Sequence, residues 1–372
     1  MAGKRKVMKN FFFIAMIASL LLQTGCAFKD IDKRIFVLAI GIDPSEKVRD
    51  GFKVTLKLAK PAGDVKQAIS QDFTYLSHDS DSIAEAIRKM ESYVDKKLDL
   101  GHARSIVINK ELISKDLNTF MDVFTRRGDI QMIAYVAVSE KTAEETVTFA
   151  PDTEPPATIA LFNFFDNTGT DSPYISTTFL FEMRRKALNK GINAVLPIID
   201  INEEKKHFEV NKSLVLKWGG EPVELTQLQT KYLNSLIKDV NEFNYEIKED
   251  DHHMVLFINR VKMKYKIILD EGAPRIDIYI KKSGVISESS KVLDNRHLKK
   301  YSEQAEKDVK KKVMELLTKL QENNVDPFGF GLRYRATRLS REDLMDEWER
   351  IYPEIKFNVM VNVKLKSTGA IE

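Results

Sequence analysis

The stretch Lys262-Met263-Lys264-Tyr265-Lys266-Ile267-Ile268-Leu269 decides the fold class of the last third of this chain. Met263, Tyr265, Ile267 and Leu269 are apolar while Lys262, Lys264 and Lys266 between them are charged, the period of two that puts one strand face in a core and the other in water. Ile276, Ile278 and Ile280 repeat the pattern, and so do Phe357, Val359, Val361, Val363 and Leu365. Strands with one wet face belong to antiparallel sheets. Between the second and third runs the period changes. Leu298, Tyr301, Ala305, Val309, Val313, Leu316 and Leu320 recur every three or four residues, which predicts one helix from about Arg296 to Asn324, roughly 40 Å long at 1.5 Å per residue. Laying its apolar stripe over the dry face of the sheet gives an α+β domain over 246–372.

Working outward, the preceding region mixes strands and helices in a multi-lobed α/β arrangement. Ile35 to Ile42 is continuously apolar, and after the turn-like Asp43-Pro44-Ser45 the run Phe52, Val54, Leu56, Leu58 alternates with polar neighbours. Ser82-x-x-Glu85 opens a helix carrying Ile83, Ile87, Met90 and Val94. A strand over Ser105 to Ile108 follows, then a helix from near Ser114 that buries Leu117, Phe120, Met121 and Phe124, then a buried strand over Ile130 to Val138. Pro151, Pro155 and Pro156, with the polar run from Asp166 to Thr170, mark a long connection. A helix with Leu180, Met183 and Ala187 ends at Gly191, and the region closes near residue 200. Thr226-x-x-Gln229 caps a further helix with Leu228, Tyr232, Leu236 and Val240 at four-residue spacing. The boundaries are thus 1–25, 26–200 (or two lobes with 201–245) and 246–372.

Of the 372 residues 43% are hydrophobic, enough for real cores. A single Cys rules out an internal disulfide and CxxC zinc or redox motifs. Lys4, Arg5, Lys6 and Lys9 are the only charges before residue 26; removing them from 58 basic residues leaves 54 against 55 acidic ones. A neutral body lacks the basic footprint of a protein that binds nucleic acid without sequence preference.

Those four bases precede the twelve-residue run Phe11 to Leu22, too short to span a bilayer, which takes about 20 residues, but suited to a secretory signal. The run ends at Leu22-Gln23-Thr24-Gly25-Cys26. This is similar to a bacterial lipoprotein signal, which implies cleavage behind Gly25 and S-diacylglycerol and N-acyl groups on Cys26. Small Thr24 and Gly25 fit the peptidase cleft, and the thiol is the nucleophile that accepts the lipid. Gln23 departs from the usual apolar residue. An ordinary secreted protein with an incidental Cys and an uncleaved amino-terminal membrane anchor are the other readings. Asn211-Lys212-Ser213 beside a bacterial-type signal is read as chance.

No later motif carries catalysis. Gly329-x-Gly331 lacks the third glycine of a dinucleotide fingerprint and is read as a structural turn. Adjacent His252 and His253 point their rings apart and lack a third ligand at useful spacing, so no metal site is expected. No GxSxG or HExxH motif occurs. Trp348, four after Leu344 and three before Ile351, is read as a core anchor, and Arg126-Arg127 as offsetting the negative end of a helix. No catalytic, cofactor-binding or metal residue is expected.

Taken in order, Cys26, Asp30-Ile31-Asp32, the strand Val37 to Asp43, Gly101-His102 before Ser105 to Ile108, Ala194-Val195-Leu196-Pro197, Asp326-Pro327-Phe328-Gly329-Phe330-Gly331, Trp348, Tyr352-Pro353 and the last alternating strand up to Gly369 resemble the Ger(x)C family. These are the lipoprotein C subunits of nutrient germinant receptors in spore-forming bacteria. Ala27-Phe28 stands where the family commonly has a Trp after the lipidated Cys. The resemblance implies a three-lobed ectodomain tethered to the outer face of the spore inner membrane, two membrane-protein partner subunits, no catalytic site, and a non-enzymatic role in assembly or signalling at the start of germination. The alternative is a solute-binding lipoprotein that delivers a small ligand to a transporter; such proteins normally have two doubly wound lobes of repeated βα units.

Overall fold

A computed structural model describes residues 33–59, 73–115, 117–152, 160–168, 172–238, 242–249, 252–269, 273–339 and 343–368, with Asn10 and Phe13. The rest of the signal segment, Gln23, Gly25 and Cys26 included, and Asp30 to Asp32, Pro155, Pro156 and Val240 lie outside the described residues.

Two sheets organise the chain. Strands β1 (Arg34–Pro44), β2 (Phe52–Ala59), β3 (Phe73–Ser80), β4 (Lys97–Asp99), β5 (Ser105–Asn109), β6 (Tyr135–Ser139), β7 (Val195–Asn202), β8 (His207–Val215) and β9 (Val223–Leu225) form the first. Its order is β3-β2-β1-β5-β6-β7-β8-β9, with β4 also pairing β1. The centre, β1-β5-β6-β7, is parallel, and antiparallel pairs flank it on both sides. Parallel neighbours need crossover connections. Helices α1 (Ile83–Met90), α2 (Lys110–Lys115), α3 (Leu117–Arg126), α4 (Ala143–Thr148), α5 (Ala160–Asn163) and α6 (Leu180–Leu188) lie in those connections.

The crossovers cover both faces, which is why the central strands read as unbroken apolar runs. Ile106, Ile108, Val136 and Val138 turn to one core with Ile87, Phe120, Phe124 and Met183. Val107 and Ala137, one residue out of phase, turn to the other with Ala143, Val147 and Phe165. The expected strand over Ile130 to Val138 is shorter and starts at Tyr135. The carbonyls of Met132 and Ala134 accept the amides of Phe181 and Leu180 instead of a neighbouring strand, so that segment feeds the start of α6. The helix expected from near Ser114 is α3, from Leu117; α2 precedes it, and the Asn109 side chain accepts the Glu111 amide at the start of α2.

Helix α7 (Gln227–Ile237) carries the capping box read from Thr226 and Gln229, both halves formed. Its buried surface differs from the expectation. Residues Thr230 to Leu236 are all buried, because the helix is covered on more than one side, whereas Leu228 is 47% exposed.

The second sheet contains β10 (Phe243–Glu249), β11 (His252–Ile268), β12 (Arg275–Ser289) and β13 (Lys356–Leu365) in that order. Helix α8 (Leu298–Glu322) joins β12 to β13, followed by α9 (Phe330–Ala336) and α10 (Leu344–Ile351). The first two pairings are antiparallel, and β13 adds to β12 in parallel. The crossover through α8 carries the chain back to the starting edge, so the last strand must run the same way as β12. Ala305, Val309, Val313, Leu316, Leu317 and Leu320 of α8 are buried against Ile276, Ile278, Ile280, Val359 and Val363. At about 2 kcal/mol for each large side chain, that stripe contributes on the order of 10 kcal/mol as an upper bound.

Candidate functional site

The most elaborate constellation is built where α8 ends. Asn324 takes a left-handed conformation (φ 53°) and turns the chain, delivering Asp326 into the interior at 4% exposure. The Asp326 carboxylate accepts the amides of Gly329 and Gly331, each at 2.8 Å. Gly329 needs no Cβ at φ 75°, which starts α9 with its first amides aimed back at the carboxylate. Burial pushes the Asp326 carboxyl up to about 7, opposed by the amides of Gly331, Phe330, Gly329 and Phe328.

The same segment is stitched to the loop between α6 and β7. The Asp326 amide donates to Asn193 Oδ1 at 2.7 Å, and the Asn193 amide donates to the Asp326 carbonyl at 2.9 Å. Asn193 Nδ2 also donates to the Leu216 carbonyl, and the Leu332 amide to the Gly191 carbonyl. Here the glycines permit direct backbone contact: a Cβ on Gly331 would stand 2.7 Å from Gly191 Cα and 2.4 Å from Trp348 Nε1. Trp348 packs beside Tyr334 and Tyr352, and the Tyr352 hydroxyl donates to the Val325 carbonyl at 2.9 Å.

A cleft of about 660 Å³ opens beside this clamp, with Lys190, Asn193, Lys217, Trp218, Asp326 and Trp348 in its wall. Both oxygens of Asp326 are engaged by amides, so its chemistry here is that of a fixed acceptor that shapes a turn. The D326N variant would replace one accepting oxygen by a donor facing an amide, and should lose about 2–3 kcal/mol in urea unfolding, the cost of a buried unsatisfied group. A loss below about 0.5 kcal/mol would show that the acceptor is dispensable.

The other sequence candidates are placed as follows. Trp348 is 3% exposed within the core beside the last sheet. His252 and His253 begin β11; His252 Nε2 lies 3.0 Å from Ser289 Oγ and His253 Nε2 3.9 Å from Glu246. Among the described residues no group of three or more His, Cys, Asp or Glu could hold a metal, and no helix is long and apolar enough to cross a membrane. Arg126 and Arg127 bind Asp122 and Asp129, so carboxylates occupy both guanidinium groups.

Two buried charges escaped the sequence reading. Asp43, taken as part of a turn, is the penultimate residue of β1, and its carboxylate accepts the amides of Ala143 and Glu144 at the start of α4. Lys282 is 2% exposed, 4.0 Å from the Tyr245 ring centre. Its signal was available: it occupies the next position in the dry series Ile276, Ile278, Ile280.

Residues 28–201 match the family described as "Spore germination protein N-terminal domain", and residues 223–369 match "Spore germination B3/GerAC like, C-terminal". Both define the class as spore germination proteins. The chain belongs to the Ger(x)C family of these proteins. It is 21% identical to spore germination protein GerQC of Bacillus cereus, over 98% of this chain and 100% of that one. It is 21% identical to spore germination protein B3 of Bacillus subtilis (strain 168), over 96% and 98%, and 22% identical to spore germination protein KC of the same strain, over 98% and 97%. In fold it is similar to the crystal structure of the GerBC protein, with a TM-score of 0.54 at 15% identity, covering 88% of this chain and 96% of that one.

Proposed function

We propose that this protein is the lipid-anchored, non-catalytic C-type subunit of a nutrient germinant receptor, held at the outer face of the spore inner membrane with two membrane-protein partner subunits. The observation that carries this reading is the order of the two family matches, 28–201 and then 223–369, the first of which begins two residues after Cys26. Relatives of nearly equal length bear spore germination names. In this reading Cys26 carries the acyl chains, and two or more chains make a stable anchor where one is marginal. Tethering confines the body, with boundaries at 26–200 (or two lobes with 201–245) and 246–372, to a thin layer beside its partners, where modest interfaces suffice. Its task is contact that assembles the receptor or passes on the nutrient signal. The parallel centre of the first sheet and the four-stranded second sheet are not two doubly wound lobes, which gives the solute-delivery alternative no support.

Spores carrying C26A should retain little of the protein in their membrane fraction and should germinate slowly with nutrient while responding normally to stimuli that bypass receptors. Mass spectrometry of the native chain should find acyl groups on residue 26. A normal nutrient response with the protein unanchored, or an unmodified thiol in the native chain, would end this reading.

A further inference from the structure

The wet face of the second sheet is a basic plane. Lys262, Lys264 and Lys266 of β11, Arg275 and Lys281 of β12, and Lys356 and Lys364 of β13 are all exposed. Period-two alternation puts them on the face opposite Ile276, Ile278 and Ile280, which pack against α8. Within residues 261–267, 275–282 and 356–365 the sole acid is Asp277. It is engaged by Asn358 Nδ2 at 3.0 Å and Arg275 Nε at 3.5 Å.

The registers make the arrangement costly. Lys262 stands directly opposite Lys281, and Arg275 opposite Lys356. Like charges facing each other across a ladder destabilise a sheet, and neighbours along a strand or across it lie within a Debye length of about 8 Å. This excess stands on a protein whose basic and acidic residues nearly balance beyond residue 25, so the charge is segregated to one face. In its middle Tyr279 lies opposite both Lys264 and Met360, with Tyr279 41% and Met360 36% exposed. A tyrosine with Lys264 across the ladder and Lys281 two residues along its strand suits the boundary between acyl chains and headgroups.

We propose that this sheet face docks on an anionic phospholipid surface, with the lysines and arginine on headgroup phosphates and Tyr279 and Met360 at the interface. The charges spread across three neighbouring strands instead of along one, and a phospholipid surface offers phosphates over that whole breadth. Polybasic segments gain attraction from each cation near an anionic leaflet and lose it with salt. The surface is independent of the anchor: it needs an anionic membrane, whereas acyl chains also enter neutral ones.

The test uses the full chain mixed with phosphatidylcholine vesicles, with and without roughly 30% phosphatidylglycerol. Lysine acylation is read by mass spectrometry residue by residue. Acylation of Lys262, Lys264 and Lys281 should fall at least about five-fold in the anionic vesicles only, and recover in about 0.5 M salt. Lys310 and Lys311 on α8 should react equally in both. The triple variant Lys262→Glu, Lys264→Glu, Lys281→Glu should lose the preference for anionic vesicles. Equal acylation of the sheet lysines in both vesicle types, or a variant that keeps the preference, would overturn the proposal and direct the face to an acidic protein partner. Sedimentation with the neutral vesicles reports on the tether separately.

Discussion

Gly331→Ala should leave little folded protein. The added methyl carbon would sit 2.4 Å from Trp348 Nε1 and 2.7 Å from Gly191 Cα. One obstacle is a ring packed between Tyr334 and Tyr352 and the other is backbone, so neither moves cheaply. Overpacking a core ordinarily costs 1–3 kcal/mol. Here separating the two backbones would also lengthen the bond from the Leu332 amide to the Gly191 carbonyl, and we expect a loss above about 3 kcal/mol, a large part of a domain's stability. Gly128→Ala is the matched control, since nothing lies within 4 Å of a Cβ there. Thermal unfolding of both variants checks the expectation; equal melting temperatures would show that the clamp opens without cost.

Lys282→Met should have the opposite sign. The Lys282 ammonium is buried between β12 and the rings of Tyr232, Phe243 and Tyr245, and its Nζ finds no hydrogen-bond partner among the described residues. Burial, with help from Lys231 and Lys312 and opposition from Asp308, brings its pKa down from 10.5 to about 7. The unfolded chain therefore holds a proton that the folded one releases between about pH 7 and pH 10, and stability rises with pH through that window. Below it the burden is constant, on the order of 5 kcal/mol at 1.36 kcal/mol per pKa unit. Methionine fills a similar volume with no charge to desolvate. The variant should thus be more stable by a few kcal/mol at pH 6.5, and its advantage should close toward pH 10. Urea unfolding at both ends of the range measures this. An unchanged or lowered stability at pH 6.5 would mean that the ring contacts offset the desolvation of the ammonium.

How much was legible depends on how local each feature is. The three period-two runs and the long helix were readable because burial of one face writes itself into neighbouring residues, and α8 falls within two residues of the expected span at each end. The parallel course of β13 could also have been read, since a helix-bearing connection between paired strands returns the chain in the same direction. Lys282 breaks a visible alternation, since it takes the next position after Ile276, Ile278 and Ile280 on the dry face. Gly329-x-Gly331 reads from sequence as a structural turn, but Gly329 is the N-cap of α9 and Gly331 lies in its first turn, and Asn193, which pairs with the neighbouring Asp326, is 133 residues away from it. Backbone hydrogen bonds between distant loops leave no periodicity and no distinctive residue type, so the clamp was out of reach. The shortened strand before β6 was misread for a related reason: Met132 is apolar enough for a sheet, but the carbonyls there serve α6.

The clamp at Asp326 has a bearing on how the molecule would carry a load. The chain passes from the first sheet to the second through residues 226–242, and the Asn193–Asp326 pairing joins the same two parts a second time, through segments remote in sequence. The two parts also share one core, in which Val195, Val215, Val223 and Leu225 of the first sheet pack with Ile276, Ile278 and Ile280 of the second, so neither can turn about the linker without opening it. Pressure on the basic face of the last sheet would reach the parallel strands of the first as displacement and not be absorbed as bending. A severed linker would leave both parts still buttoned together.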